Sequence, residues 1–224
     1  MFGILPGVST LSTNYDTNLR QTTDPYNGKR VVLFVRRSGT RVLLNRNDLY
    51  RIAQERIALH NNVVTNGNDD AFVVESHIRL EDLSFARQLV LFQSTAILIA
   101  AHGQGCANTI FMQGEGRSAL LLVMPQDFFG WHFIYSNSAT SVGVHAVVLM
   151  RPEDGPVDGW DGSDNDRVND RRDANFIVRE DMFEDGLEIA LHKVSGGGGE
   201  EGEEGEAQNE VDVEYVRGIE TLNF

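Results

Sequence analysis

Short, continuous apolar runs along this chain alternate with segments that carry polar residues and helical periodicity. Five apolar runs are candidate strands: 31–35, 72–74, 96–101, 119–124 and 142–150. The runs 31–35, 96–101 and 119–124 are apolar at every position, which is typical of strands buried on both faces of a parallel sheet. The pattern therefore predicts a sheet that is covered by helices on both sides.

Helix signals lie in the intervals between these runs. Residues 45–48 supply N-cap chemistry for a helix whose apolar positions recur with helical spacing. Ser84 caps a second helix that leads to strand 96–101, and a third helix is predicted after Gly105. Alternating strands and helices imply right-handed crossovers. We therefore predict an α/β fold with a Rossmann-like, mostly parallel sheet.

The chain divides into three parts by composition. Residues 1–28 lack apolar periodicity and are predicted to be an irregular lead-in. Residues 29–194 are predicted to form the Rossmann-like domain, with an acidic loop insertion at 152–173. Residues 195–224 contain a run of glycine and glutamate that cannot bury a core, so they are predicted to be an acidic, low-complexity, disordered tail.

Two more elements are predicted between the insertion and the tail: a strand at 176–178 and an amphipathic helix at 182–193. The insertion has the carboxylate chemistry of a calcium loop, but its spacing does not fit an EF-hand loop. We interpret it as a solvated loop and predict no metal site. Its aspartates are Asp158, Asp161, Asp164 and Asp166.

Composition excludes several classes of protein. The chain has 224 residues, enough for one sizeable domain. No window approaches the ~20 apolar residues of a membrane span, and the first residues lack the basic start and apolar run of a signal peptide. The sequence thus predicts neither a leader nor an anchor. The single cysteine, Cys106, excludes an internal disulfide, and we expect it to be a packed residue rather than a nucleophile.

The net charge of −14 is unevenly distributed. Residues 151–224 carry 22 acidic and 7 basic residues, whereas residues 1–150 are nearly balanced. Within the first part, residues 29–56 have eight basic side chains and two acidic ones. This local excess suits an anionic ligand such as phosphate. For Arg51 and Arg56, a solvated helix face is the preferred interpretation.

The segment 102–108, His-Gly-Gln-Gly-Cys-Ala-Asn, directly follows strand 96–101. Open α/β sheets bind ligands where a strand ends in such a turn. Gly103 and Gly105 let a ligand approach the backbone, and a following helix offers N–H groups to an anion. Alone, the pattern also fits an ordinary strand-to-helix turn.

Three stretches in order resemble the catalytic region of glycosyltransferase family 61, which includes protein O-GlcNAc transferases and plant xylosyl- and arabinosyltransferases. In residues 34–45 a strand ends in Arg36, a second arginine follows at Arg41, and an asparagine follows at Asn45. Residues 84–89, Ser-Phe-Ala-Arg-Gln-Leu, are similar to a helix start of the family. Residues 102–108, followed by a Phe-Met pair, are similar to the family motif His-Gly-Ala-Gly-Leu-Thr-Asn.

The resemblance implies the C-terminal half of a GT-B fold, which binds a nucleotide-sugar donor for inverting transfer to an acceptor hydroxyl on a glycan or protein. It places donor contacts at Arg36, Arg41, His102, Gly103, Gln104, Gly105 and Asn108. His102 is the candidate stabiliser of the leaving group, and no general base is identified. The sequence requires no cofactor, and it does not decide whether a divalent metal takes part.

Structural alternatives stay open for these residues. The alternative for Arg36 and Arg41 is an ion pair with carboxylates of neighbouring loops. Without the resemblance, His102 is interpreted as a turn histidine whose ring is hydrogen-bonded within the fold. Asn108 fits a cap as well as a ligand contact, and Gln88 is interpreted as structural.

The chain departs from the family pattern at several positions. Gln104, Cys106 and Ala107 replace the alanine, leucine and threonine of the motif, and Ala96 stands where an aspartate is frequent. Leu122 replaces an acidic residue that the family commonly has three positions before the strand-ending proline. The resemblance implies that a carboxylate there binds the donor ribose.

Three functions are therefore compared. The first is a glycosyltransferase domain that binds a nucleotide sugar and needs an N-terminal GT-B half, which we do not find in this sequence. The second is a non-catalytic module that binds a nucleotide or glycan. Nucleic-acid binding through residues 29–56 is the weakest, because the acidic tail opposes it and exposed aromatic residues are not interleaved. The resemblance alone implies the secretory pathway.

Overall fold

A six-stranded, all-parallel sheet forms the centre of the part of the chain that the structure describes. The structure is a computed structural model and describes residues 26, 28–37, 42–64, 71–124, 132–150, 177–196 and 213–217. The strands are β1 Arg30–Val35, β2 Phe72–Ile78, β3 Thr95–Ala101, β4 Ala119–Val123, β5 His145–Met150 and β6 Val213–Arg217. Their spatial order is β2-β1-β3-β4-β5-β6, and every neighbouring pair is parallel.

Helices cover both faces of this sheet. The α-helices are α1 Arg46–Val64, α2 Phe85–Ser94, α3 His132–Ser141 and α4 Glu180–Val194, and two 3-10 helices span Leu80–Asp82 and Gln104–Phe111. One core lies between the sheet and the helix pair α1 and α4. The other lies between the opposite face and α2, the 3-10 helix 104–111 and α3. The predicted α/β fold with a parallel sheet is confirmed.

The central strands are apolar because both of their faces are buried. Every residue of β3 and of β4 is buried. Along β3, Ile97 and Ile99 enter the core on the α1 and α4 side, while Leu98 and Ala100 enter the other core. This alternation is the two-residue period of a strand, and it explains why the sequence shows a continuous apolar run.

Local capping signals agree with the structure at α2. The hydroxyl of Ser84 accepts a hydrogen bond from the backbone N–H of Arg87 at 3.4 Å. The amide of Gln88 donates to the carbonyls of Leu80 and Leu83, at 2.8 and 3.1 Å, and thus holds the preceding 3-10 turn against the helix. The structural interpretation of Gln88 is therefore confirmed.

The prediction of a strand at 176–178 was wrong for the two residues that the structure describes. Ile177 and Val178 are not in a strand. Instead, the side chain of Asn45 accepts from the N–H of Val178 at 3.2 Å and donates to its carbonyl at 2.6 Å. An asparagine amide thus bonds to the peptide groups that a neighbouring strand would otherwise have paired with.

The sixth strand lies inside the segment 195–224, which was predicted to be a tail. For residues 213–217 that prediction was wrong, because they pair in parallel with β5. Val216 is buried against the core, and Lys193 of α4 forms an ion pair with Glu214 at 2.7 Å. The acidic composition around this short strand concealed its β-type pattern. The rest of the segment beyond Gly196 lies outside the described residues.

Two helices differ from expectation. The helix predicted after Gly105 is a 3-10 helix, Gln104–Phe111, and begins one residue before that glycine. Helix α3 was not predicted, because its sequence is rich in serine, threonine and asparagine and has little helical periodicity. It packs against β5, β4 and the 3-10 helix, so tertiary contacts outweigh its weak local preference.

Candidate functional site

The position between β1 and β3 is the switch point of the sheet, where the order in which strands are added changes direction. Strand β1 has β2 on one side and β3 on the other, and all later strands extend the sheet beyond β3. The chain leaves β1 towards α1 on one face and leaves β3 towards the 3-10 helix 104–111 on the opposite face. Two connections that diverge in this way leave a crevice at the carboxyl ends of the strands, where open parallel sheets bind ligands.

Two consecutive arginines follow β1 at this crevice. Arg36 is exposed. Arg37 turns towards β3, and its guanidinium donates to the carbonyl oxygen of His102 at 2.7 Å. The same guanidinium covers Gly103, where an added Cβ would lie 2.8 Å from the Arg37 Cζ and still closer to one of its nitrogens. The structure thus brings Arg37 onto the glycine-flanked turn.

His102 extends β3 and is enclosed by the fold. Its backbone N–H donates to the carbonyl of Val123 at 2.9 Å, which continues the ladder between β3 and β4. Only 4% of the residue is exposed, and its ring meets Tyr135 of α3 edge-on, with centroids 4.9 Å apart. In this structure the imidazole lies beneath the turn rather than on its open surface.

The rest of the motif holds the turn together. The N–H of Cys106 donates to the carbonyl of Gly103 at 2.9 Å, and its buried thiol lies 3.5 Å from the carbonyl of Ala101. The Asn108 amide donates to the carbonyl of Gly105 at 3.2 Å. Cys106 is thus a packed residue, as predicted, and Asn108 makes a bond within its own turn. The side chain of Gln104 lies outside the described residues.

A second arginine lines the crevice from α1. Arg46, the first residue of α1, lines it together with Arg37 and with the apolar residues Phe34, Ile99 and Ala101. The crevice is narrow, with room for about one water molecule or one oxygen atom of a ligand. The Nε of Arg46 is buried and has no hydrogen-bond partner among the described residues.

Three more arginines of the basic segment make contacts within the fold. Arg30, at the start of β1, donates to the carbonyls of Val194 and Arg117 at 2.8 and 2.7 Å. On α1, Arg51 pairs with Glu55 at 3.0 Å, and Arg56 pairs with Glu184 and Glu188 of α4. Among the described residues of 29–56, the excess of positive charge is therefore divided between contacts with α4 and the crevice.

Sequence reasoning identified the turn but not both of its arginines. Of the two arginines it chose, Arg36 lies beside the site with an exposed side chain, and Arg41 lies outside the described residues. It missed Arg37 and Arg46. The Arg-Arg doublet was a usable signal for Arg37, because one of two consecutive residues after a strand turns towards each side. No local pattern distinguished Arg46 from the other arginines of α1.

Two of the departures from the family pattern lie in the core. Leu122 is fully buried in β4, and Ala96 is buried in β3. A carboxylate at either position would need a polar partner inside an apolar core. These two positions therefore supply packing in this chain.

Other kinds of site have little support within the described ranges. They contain no group of three histidine, cysteine or carboxylate side chains that would hold a metal ion. None of the helices described here is long and apolar enough to cross a membrane. The aspartates of the insertion at 152–173 lie outside the described residues.

Comparison with known proteins identifies a family. The family model described as Glycosyltransferase 61 matches residues 6–118, half of the chain, and this range includes β1, α1, β3 and the turn 102–108. No curated protein matches the sequence.

Proposed function

The chain belongs to glycosyltransferase family 61, and from that premise we propose that the crevice between β1 and β3 binds the diphosphate of a nucleotide-sugar donor. In the proposed reaction an acceptor hydroxyl attacks the anomeric carbon with inversion. The bond from that carbon to the phosphate oxygen breaks, and the nucleoside diphosphate leaves with the electron pair. The negative charge that develops on this oxygen is what the site must stabilise.

The contact between Arg37 and the glycine-flanked turn is the observation that carries the proposal. A guanidinium lies over Gly103 at the switch point of the sheet, 2.7 Å from the His102 carbonyl. Guanidinium groups form charge-assisted hydrogen bonds with phosphate, often two at a time. We propose that Arg37 turns from this carbonyl to the donor diphosphate, with Arg36 and Arg41 adding charge and backbone N–H groups near Gly105 adding donors.

The role of His102 stays a prediction. Its imidazole packs against Tyr135 and is nearly inaccessible. To donate a proton or hydrogen bond to the leaving phosphate, the ring must become accessible when a donor binds. Gln104 and Asn108 are proposed to contact the donor after a similar rearrangement, since Asn108 now bonds to Gly105.

A second function has one specific observation in its favour. Leu122 is apolar and fully buried where the family commonly has an acidic residue. The site would then bind a nucleotide or glycan without transferring a sugar. The two functions differ in one measurement, the release of nucleoside diphosphate from a bound nucleotide sugar in the presence of acceptors.

Nucleotide binding by the full chain tests the proposed donor site. We expect one nucleoside diphosphate, and the corresponding nucleotide sugar, to raise the unfolding temperature. Each ligand is measured once with manganese and once without it. Arg37→Ala should weaken this binding about 10- to 100-fold, the value of one or two lost charge-assisted hydrogen bonds.

Arg117→Ala is the matched control. It removes the same charge from an exposed side chain at the opposite end of the sheet, and it should leave the affinity within about twofold. Equal losses in the two variants would attribute the effect to net charge. An absence of binding by folded wild-type protein to any nucleotide would refute the donor site.

The remaining parts of the proposal come from the family. We propose a glycan or protein as acceptor, a partner half of GT-B type that supplies the acceptor site and the general base, and the secretory pathway as the location. Comparing nucleotide binding with and without manganese shows whether binding requires a metal.

A further inference from the structure

Arg46 has a buried donor that the fold does not use. Its Nε is inaccessible and has no partner among the described residues. Buried polar groups in proteins are nearly always paired, so an orphaned donor on a charged side chain requires an explanation. Such donors are commonly paired by a water, an ion or a ligand.

The position of Arg46 suggests what the partner is. Arg46 and Arg37 line the same small crevice from α1 and from the end of β1. Arg37 also covers Gly103, so one side chain contacts the glycine-flanked turn and lines the same space as Arg46. Two guanidinium groups that line one crevice make it favourable for an anionic oxygen.

We propose that Arg46 and Arg37 form a two-arginine clamp, in which Arg46 binds the second phosphoryl group of the donor. This inference rests on the proposed donor site. One phosphoryl group lies on the glycine-flanked turn beside Arg37, and the other directs an oxygen into the crevice. The side chain of Arg46, whose Nε is covered in this structure, turns to donate its Nε–H to that oxygen. The crevice is narrow, with room for about one oxygen atom of a ligand. Arg46 therefore makes the site selective for diphosphates over monophosphates.

The experiment compares ligands that differ by one phosphoryl group. The full chain is titrated with inorganic phosphate and pyrophosphate, and with the mono- and diphosphates of uridine and guanosine. The same titrations are made for Arg46→Gln, which removes the guanidinium, and for Arg46→Lys, which keeps the charge. Arg51→Gln is the control, because this exposed arginine lies on the same helix and pairs with Glu55.

We expect Arg46→Gln to weaken diphosphate binding about tenfold and to change monophosphate binding less than about twofold. Arg46→Lys should also lose most of the selectivity, because an ammonium group cannot replace the guanidinium fork. Arg51→Gln should behave as wild type. Should Arg46→Gln fail to fold, the selectivity of Arg46→Lys decides the question.

The outcomes separate this inference from the donor site. If diphosphates bind but the Arg46 variants keep wild-type selectivity, the clamp is wrong and the donor site stands. Equal weakening of mono- and diphosphates also contradicts the clamp, since it indicates a general effect of charge. If pyrophosphate binds in an Arg46-dependent way and no nucleotide binds, the clamp stands and the donor function fails. No binding of any of these anions overturns both.

Discussion

Replacing Gly103 by alanine should displace Arg37 from the glycine-flanked turn. An alanine Cβ at this position would overlap a guanidinium nitrogen and lie 2.8 Å from Arg37 Cζ, well inside van der Waals contact. The guanidinium is the free end of a flexible side chain, so it can move away, but it then loses its hydrogen bond to the His102 carbonyl. The substitution therefore removes one interaction without opening a cavity.

The loss of that bond sets the lower limit of the effect, to which the backbone cost of alanine at position 103 adds. A hydrogen bond from a charged donor contributes about 1.5–3 kcal/mol to the free energy of unfolding, and partial exposure favours the lower end. For a chain of this length, about 1.5 kcal/mol corresponds to a fall of roughly 3–6 °C in the unfolding temperature. Gly105→Ala is the control, because its Cβ would meet Val35 at an ordinary 3.4 Å. It should change stability by less than about 0.5 kcal/mol.

A double-mutant cycle isolates the cause. The backbone at Gly103 has a φ angle of 158°, so alanine also bears a conformational cost there. That cost is the same with and without Arg37 and cancels in the cycle. Denaturant unfolding of wild type, Gly103→Ala, Arg37→Ala and the double variant should give a coupling energy of about 1–2 kcal/mol. If Gly103→Ala costs the same in both backgrounds, the reasoning is refuted.

Asn45, His60 and Gly186 each give an expected change in stability that chemical denaturation can measure. Asn45→Ala should cost about 1–3 kcal/mol, because both peptide groups of Val178 lose their partner. Burial, and then the charge of Arg30, lowers the pKa of His60 below its ordinary 6.5. Stability should therefore fall as pH drops below about 6.5, because the unfolded chain takes up the proton first. His60→Gln should flatten this fall. Gly186→Ala should cost up to about 2 kcal/mol, because crowding of leucines in β4 and β5 outweighs the helix preference of alanine of about 1 kcal/mol.

Each of these predictions has its own contrary result. Asn47→Ala changes an exposed asparagine two residues after Asn45 and should leave stability almost unchanged. A loss equal to that of Asn45→Ala would argue against the Val178 bonds. The interpretation of His60 fails if His60→Gln keeps the full pH dependence. A stabilised Gly186→Ala variant would mean that the leucines repack without strain.

Much of the fold could be predicted because its signals are local. Strands β1, β3 and β4 are apolar at almost every position, which only a strand buried on both faces requires. Helix α2 begins at a serine that caps it. Helix α3 carries no such signal, and its formation depends on contacts with β4 and β5 that lie elsewhere in the chain.

The site was predictable in place but not in detail. A glycine-flanked turn after a buried strand predicted residues 102–108 as the candidate ligand site, and the structure places this turn at the carboxyl end of β3. The choice between Arg36 and Arg37 depends on how β1 lies against its neighbours, and its register shifts against both β2 and β3. One residue of shift exchanges the sides on which two consecutive side chains lie. Sequence periodicity does not show such a shift.

By itself, the sequence determined the class of fold, the family and the edge of the sheet that carries the site, because apolar runs, caps and glycine spacing act within a few residues. The tertiary structure decided which side chains meet there. Asn45 replaces a strand partner for Val178, and Arg46 joins Arg37 at one crevice. Strand β6 forms because β5 offers it an edge to pair with. These outcomes depend on contacts between residues far apart in the chain, which no local pattern encodes.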